Sequence, residues 1–265
     1  MMPILGRYGP FFLTGYFVAL ATGVALALIT TAVPGRRLRR SGWLDGVLAG
    51  GVAGVLAGRL VFVLLNGSYF AENPGQAWFI WHGGLNMQAA LLGGLATAVL
   101  WWRFTQRPVA PFLDLIAPGL AILFAAGWAA CWFEGCAYGR EAAPGILTAP
   151  LPDDFGVVAV RYQTQLAGVA LSAVVAVLTG WWLWRRPSGA RRPALLFLVT
   201  LGLLVGGHAL VSLFRGDPAP IWWGVRADVV VDVLLVAVLL LLIAALLRSP
   251  PRADGEDATR TKHFQ

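Results

Sequence analysis

The chain has 265 residues, 58% of them hydrophobic and only 12% charged, with a formal net charge of +7. Soluble domains carry about 25% charged residues, so this composition excludes a soluble globular fold and points to an all-α integral membrane protein. The positive charge does not indicate a nucleic-acid partner, because the basic residues gather at the ends of apolar runs.

Seven runs are long enough to cross a hydrocarbon core about 30 Å thick: residues 10–33, 44–66, 84–102, 112–133, 162–184, 194–214 and 226–247. The joining segments are short. Residues 1–248 are therefore expected to form one seven-helix membrane domain, and residues 249–265 a disordered cytoplasmic tail. Arg36, Arg37, Arg39, Arg40, Arg103, Arg107, Arg185, Arg186, Arg191, Arg192, Arg248, Arg252, Arg260 and Lys262 all fall on one side of an alternating topology, 14 of the 20 basic residues. By the positive-inside rule that side is cytoplasmic, with the N-terminus outside and the C-terminus inside. The first run exceeds the 7–15-residue core of a cleavable signal and is read as a spanning helix.

Tyr8, before the first run, is expected at headgroup level as an interface anchor. The second run carries Gly46, Gly50, Gly54 and Gly58 at four-residue intervals. One glycine face results, against which a neighbouring helix backbone can pack closely. Arg59 follows it, at a depth where a cation either snorkels outward or meets an anion in the bundle. Residues 66–82 read as an interfacial loop with Tyr69, Trp78 and Trp81, and Gly83 and Gly84 allow the chain to turn back into the membrane. Asn86 and Gln88 are uncharged polar groups there, suited to helix–helix hydrogen bonds or to a ligand.

The fourth run ends in Cys131-Trp-Phe-Glu-Gly-Cys-Ala-Tyr-Gly-Arg140. Cysteines five residues apart do not meet on a helix, so Cys131 and Cys136 read as small buried hydrophobes rather than a disulfide. Residues 134–161, with Pro144, Pro150 and Pro152, read as a surface loop or lid, and Asp153 and Asp154 as a solvated face. Arg161 and Gln165 are expected one turn apart at the start of the fifth helix, facing one cavity. His208 and Arg215, seven residues apart, are expected on one face near the end of the sixth. In the seventh, Asp228 and Asp232 share a face, and acids at that depth point inward and pair, an arginine being the expected partner.

No metal-ligand set, phosphate-binding glycine loop or internal repeat is present in the sequence. What remains is an arginine set, Arg59, Arg140, Arg161, Arg215 and Arg226, beside Gln88, Glu134, Tyr138 and His208 at the outer end of the bundle. Guanidinium forks match phosphate oxygens, and a cationic site at headgroup depth suits an anionic phospholipid.

These residues, in this order, resemble the bacterial prolipoprotein diacylglyceryl transferases. The resemblance covers nearly the whole chain. It rests on Tyr8-Gly9, Arg59-Leu60, Trp81-x-Gly83-Gly84, and Leu113-Asp114-Leu115 with Ala117-Pro118-Gly119. Gly135-x-x-Tyr138-Gly139, Arg161-Tyr-x-Thr-Gln-Leu166 and Phe214-Arg-Gly-Asp-Pro218 complete it. It implies transfer of the diacylglyceryl group of phosphatidylglycerol to the lipobox cysteine thiol of a prolipoprotein, with glycerol phosphate leaving. Phosphatidylglycerol, membrane lipid and a prolipoprotein signal peptide are then the partners. The location is a bacterial plasma (inner) membrane with the site facing the outer leaflet, and no cofactor is expected.

The chemistry needs a base for a thiol of pKa about 8.5, cations for the leaving phosphate and a groove open to lipid. The expected phospholipid contacts are Arg59, Arg140, Arg161, Arg215, Glu134, Tyr138 and Gln165. His208, Tyr8 and Gln88 are the catalytic candidates. Members usually carry His-Gly-Gly where this chain has Gln88-Ala89-Ala90, and Gln88 takes no proton. Trp128, His208 and Ser212 likewise stand where arginine, arginine and glutamate are usual. His208, with an ordinary pKa of about 6.5, is the candidate replacement base, on the condition that it faces the cavity with Arg215. The alternative reading is a catalytically silent relative that binds anionic phospholipid or preprotein. A transporter is disfavoured, because paired midplane helix breaks are missing.

Overall fold

The computed structural model describes residues 4–8, 11–37, 43–80, 84–106, 108–153, 155–185 and 192–249. Trp81, His82, Gly83, Arg107, Asp154, Arg191 and the tail from Pro250, all singled out above or within an expected segment, lie outside the described residues. The chain forms two compact units, one of residues 35–112 and the other of residues 1–34 with 113–265.

In the larger unit, strands β1 (Ile4–Tyr8) and β2 (Phe11–Thr14) pair antiparallel and run straight into helix α1 (Gly15–Arg37). The smaller unit holds α2 (Trp43–Leu65), α3 (Gly67–Glu72), a 3-10 turn at Pro74–Trp78 and α4 (Met87–Phe104). Helix α5 (Val109–Glu134) follows, then strands β3 (Thr148–Pro152) and β4 (Val158–Tyr162). Helices α6 (Thr164–Arg185) and α7 (Leu195–Ser212), strands β5 (Ile221–Trp222) and β6 (Val225–Arg226), and helix α8 (Ala227–Arg248) complete the chain.

Six of the helices, α1, α2, α5, α6, α7 and α8, are long and apolar enough to cross a membrane. They form because lipid offers no hydrogen bonds, so every backbone group must be satisfied within the segment. Helix α4 is the remaining expected span. It has 18 residues, but Gln88, two tryptophans and Arg103 make it less apolar. The protein is all-α in class, with three two-stranded ribbons as its only described sheets.

The glycine face of α2 packs on α4. A Cβ at Gly50 would lie 2.8 Å from the Gly94 carbonyl oxygen, and one at Gly54 would lie 2.8 Å from that of Ala90. Asn86 caps α4, its Oδ1 accepting from Ala89 N at 2.9 Å.

In the larger unit, α1 lies antiparallel on α5: Gly15 faces Phe133, Gly23 faces Ala126 and Gly119 faces Thr31. Buried Asp114, which the sequence presents only as part of a motif, accepts from Ala194 N (2.9 Å) and Phe197 N (3.0 Å) at the start of α7. A carboxylate there satisfies N–H groups that the helix leaves unpaired and complements its positive end. Thr179 and Thr200 hydrogen-bond between α6 and α7 at 3.1 Å.

The alternation of α5, α6, α7 and α8 puts the C-terminus of α5 and the N-termini of α1, α6 and α8 at one end of this unit. Each of the three β-hairpins runs almost directly into one of those N-termini. Arg185 and Arg248 close α6 and α8 at the opposite end.

Candidate functional site

The polar residues of the hairpin end are organised by what happens after α5. The helix stops at Glu134, and positive φ at Gly135 (85°) and Ala137 (55°) reverses the chain. Glycine adopts that region at little cost. The reversal carries Cys136 back over the last helical turn, where it forms a disulfide with Cys131, the Cα atoms 4.7 Å apart. The expectation of two buried thiols is thereby corrected. Its premise of an i,i+5 spacing on a helix fails because Cys136 lies beyond the helix end.

The chain then runs extended between two neighbours. On one side Arg140 N donates to Phe214 O (2.9 Å) and Gly216 N to Tyr138 O (2.8 Å). On the other, Tyr162 N donates to Arg140 O (3.2 Å) and Ala142 N to Val160 O (3.0 Å). Bridges Gly139–Arg215 and Glu141–Arg161 extend the β3–β4 hairpin into this layer. The expected loop or lid over 134–161 is thus a built sheet corner. Its closeness requires glycine at Gly139, where a Cβ would lie 2.2 Å from Tyr162 O.

Arg161 belongs to β4, not to a helix, which corrects its expected placement one turn before Gln165. Its guanidinium sits 5.1 Å from the Tyr138 ring centroid and pairs through Nη2 with Asp153 (3.1 Å) and Glu141 (3.3 Å). Asp153 is therefore a partner, not a solvated charge. Arg161 Nε is buried without a hydrogen-bond partner. Gln165, in the first turn of α6, donates from Nε2 to Cys136 O at 2.9 Å, and Thr164 Oγ1 donates to Ala137 O at 2.7 Å. These two bonds tie the reversal after α5 to the start of α6.

Arg140 is different. Its side chain is exposed, with the guanidinium 5.7 Å from the Tyr162 ring centroid and 5.5 Å from that of Phe214. No carboxylate among the described residues pairs with it. Glu134 ends α5, partly buried. Tyr8 ends β1 opposite Phe11.

Helix α7 ends at Ser212, so Arg215 lies past it and does not share a helical face with His208, as the seven-residue spacing had suggested. Arg215 instead joins a four-member cluster. It donates to both Asp217 oxygens (2.8 and 2.5 Å) and to Asp228 (3.2 Å). Arg226 forks onto Asp228 (3.1 Å at both oxygens) and donates to Asp217 O at 2.6 Å. Two cations and two anions cancel. Burial pulls the Arg226 guanidinium down, but its hydrogen bonds to Asp228 and Asp217 and their charges outweigh this, so it is held above its ordinary value. Asp228 pairs with arginine as expected. Asp232 Oδ2 lies 2.5 Å from His208 Nδ1. His208 is 5% exposed and Asp232 0%. The Trp128 ring lies 5.4 Å from the His208 ring. Ser212 Oγ, one turn on, is buried without a partner.

The two remaining candidates belong to the smaller unit. Arg59 is buried and donates to the carbonyl oxygens of Ala77 (2.9 Å), Gln76 (2.7 Å) and Gly84 (3.1 Å), with Phe62 and Phe70 flanking it. Three carbonyls satisfy a cation at this depth. Gln88 is buried in the first turns of α4.

Helices of spanning length, capped at one end by a sheet corner rich in arginine and aromatic rings, define a multi-pass membrane protein with a polar site at one end of its larger unit. A family model described as prolipoprotein diacylglyceryl transferase matches residues 3–245, and the chain belongs to that family. Similar proteins are named phosphatidylglycerol–prolipoprotein diacylglyceryl transferase. That of Thermus thermophilus is 37% identical over 46% of this chain and 44% of its own length. That of Methylibium petroleiphilum is 29% identical over 76% of this chain and 80% of its own length. That of Corynebacterium glutamicum (strain ATCC 13032) is 34% identical over 50% of this chain and 44% of its own length. The match thus spans under half of the Thermus and Corynebacterium proteins.

Proposed function

We propose that this protein transfers the diacylglyceryl group of phosphatidylglycerol to the lipobox cysteine thiol of a prolipoprotein. Family membership supports the reaction class. The observation that carries the site is Arg140, an exposed guanidinium braced by Tyr162 and Phe214 and paired with no carboxylate among the described residues.

In this reading Arg140 holds the phosphate, whose charge grows as the ester oxygen leaves. Ring-bracing lowers the cost of orienting the cation. The substrate thiolate forms a C–S bond to the glycerol carbon, the C–O bond to phosphate breaks, and glycerol phosphate departs with the electron pair. His208 takes the thiol proton at Nε2, the ring nitrogen that Asp232 does not engage. Tyr138 and Arg161 back the phosphate contact, and Glu134, Gln165 and Arg215 shape its surroundings. Tyr8, Arg59 and Gln88 are proposed substrate contacts on their motif positions alone.

The hairpin end faces the outer leaflet of a bacterial plasma membrane. Disulfides persist in oxidising compartments, and Arg185 and Arg248 close the opposite helix ends, as cytoplasmic ends require. The signal peptide of the preprotein is the acceptor partner.

The test is expression in a cell depleted of its own diacylglyceryl transferase, reading lipidated lipoprotein. Rescue by the wild type and not by Arg140→Ala supports the reading. One observation favours a second reading: His208 is enclosed by Asp232 and Trp128, as in a silent relative that binds phospholipid without turnover. Failure of rescue with confirmed insertion and retained phosphatidylglycerol binding would establish that instead.

A further inference from the structure

The β3–β4 hairpin carries apolar surface that nothing in its unit covers. Phe155 is 85% exposed, Val157 58% and Val158 63%, while Ile146 and Leu147 at its base are 98% and 70% exposed. The turn is hydrogen-bonded. Asp153 Oδ1 accepts from Phe155 N and from Val157 N, each at 2.9 Å, and its Oδ2 holds Arg161 Nη2 at 3.1 Å. The backbone of Phe155 and Val157 is thus tied to Asp153 while their side chains stay exposed. A large exposed apolar patch on ordered backbone marks a contact surface.

The chain itself says where this surface is. Strand β4 ends at Tyr162 and the spanning helix α6 begins at Thr164, so the hairpin base is held at the membrane boundary. Five extended residues reach about 17 Å, enough to return to the bilayer surface from that anchor. The β5–β6 hairpin repeats the arrangement. It runs directly into α8 and turns through Trp223 (φ 51°) and Gly224 (φ 79°), with Trp223 88% exposed at its tip. Two hairpins at one end of the unit therefore each hold out an aromatic ring beside a spanning helix. Tryptophan concentrates at that level of a bilayer, and phenylalanine on an interfacial element buries into the headgroup–acyl boundary. Strand addition by a peptide fits poorly, because Pro150 and Pro152 remove donors from the free edge of β3. Of the described charges in the hairpin, Asp153 and Arg161 pair with each other.

We propose that the β3–β4 hairpin is an interfacial anchor, its apex residues Phe155 and Val157 seated at the headgroup–acyl boundary of the lipid bilayer. It fixes the level of the sheet corner, and with it Arg140, relative to the lipid headgroups.

The test uses the full chain in nanodiscs of phosphatidylcholine and phosphatidylglycerol. Cys131 and Cys136 are bonded to each other, so Phe155→Cys and, separately, Val157→Cys each supply a single free thiol for a nitroxide label. Both positions are exposed, and folding is checked by monodisperse elution. Collision with dissolved oxygen, which partitions into lipid, is expected to exceed collision with a water-soluble nickel complex several-fold relative to free label in buffer. A ratio equal to that of free label at both positions would place the hairpin in water and overturn the proposal. Protection that appears only after a lipobox signal peptide is added would overturn it too, making the patch a peptide site.

Discussion

His208 Nδ1 and Asp232 Oδ2 lie 2.5 Å apart, joining α7 to α8 where both side chains are buried. A buried acid and a buried imidazole in hydrogen-bond contact compensate each other's desolvation, so removing either member costs the other that compensation. Asp232→Asn and His208→Ala are each expected to destabilise by about 3–5 kcal/mol. His208→Leu with Asp232→Leu is expected to recover a large part of that loss. Thermal unfolding of the purified protein in detergent reads all three. Equal stability of the single and double variants would show that the pair is not coupled. If His208 is also the base, conserved folding in a His208→Gln variant comes with loss of transfer.

Arg140 and Arg161 are expected to fail differently. Arg140→Ala removes an exposed cation and should weaken phosphatidylglycerol binding by about tenfold, roughly the 1.4 kcal/mol of one charge-assisted contact, with little change in unfolding. Arg161→Ala leaves Asp153 and Glu141 facing each other without a cation and should lower unfolding temperature first. Binding and unfolding measured on the same preparations separate the two. Lipid binding unchanged in Arg140→Ala would remove it from the site.

Two glycine substitutions should have opposite signs. At Gly168 a Cβ would lie 2.2 Å from the Trp128 ring, whereas at Gly127 nothing lies within 4 Å. Gly168→Ala is expected to cost about 1–3 kcal/mol through overpacking. Gly127→Ala, in a helix interior, should stabilise by about 0.5–1 kcal/mol. A thermal-shift comparison decides it, and a destabilised Gly127→Ala would mean that this face of α5 is occupied by something not seen here.

The Cys131–Cys136 bridge gives a chemical signature. Alkylation of the unfolded protein without reductant should add no label, and after reduction two. Cys131→Ser with Cys136→Ser should lose about 2 kcal/mol. It should also loosen the Cys136 and Ala137 carbonyls from Gln165 and Thr164, seen as faster amide exchange over residues 135–142. Unchanged exchange would mean that the hydrogen bonds alone hold the reversal.

Much of this protein was legible before folding, because the bilayer simplifies the code. A span must satisfy its own backbone and be apolar along its length, so runs such as 226–247 announce α8 without knowledge of neighbours. The glycine ladder of α2 likewise announces close packing, since only a helical period of four places those residues on one face. The family motifs, read in order, carried the family membership. The partners of the charges were not legible. Arg161 meets Asp153 across a hairpin, Arg215 meets Asp217 and Asp228, and His208 meets Asp232 from another helix. Charge pairing over such separations depends on strand register and helix rotation, and no periodicity encodes either. The disulfide shows the same limit: five residues are too far apart on a helix, yet Cys131 and Cys136 meet because two positive-φ residues turn the chain just where the helix ends. The one-dimensional pattern determined which segments enter the membrane, through hydrophobicity alone. Only the tertiary structure decided that four of the five arginines in the expected set, Arg59, Arg161, Arg215 and Arg226, are already paired or satisfied and that Arg140 is the exposed one among them, because electrostatic partners are fixed by distance in space.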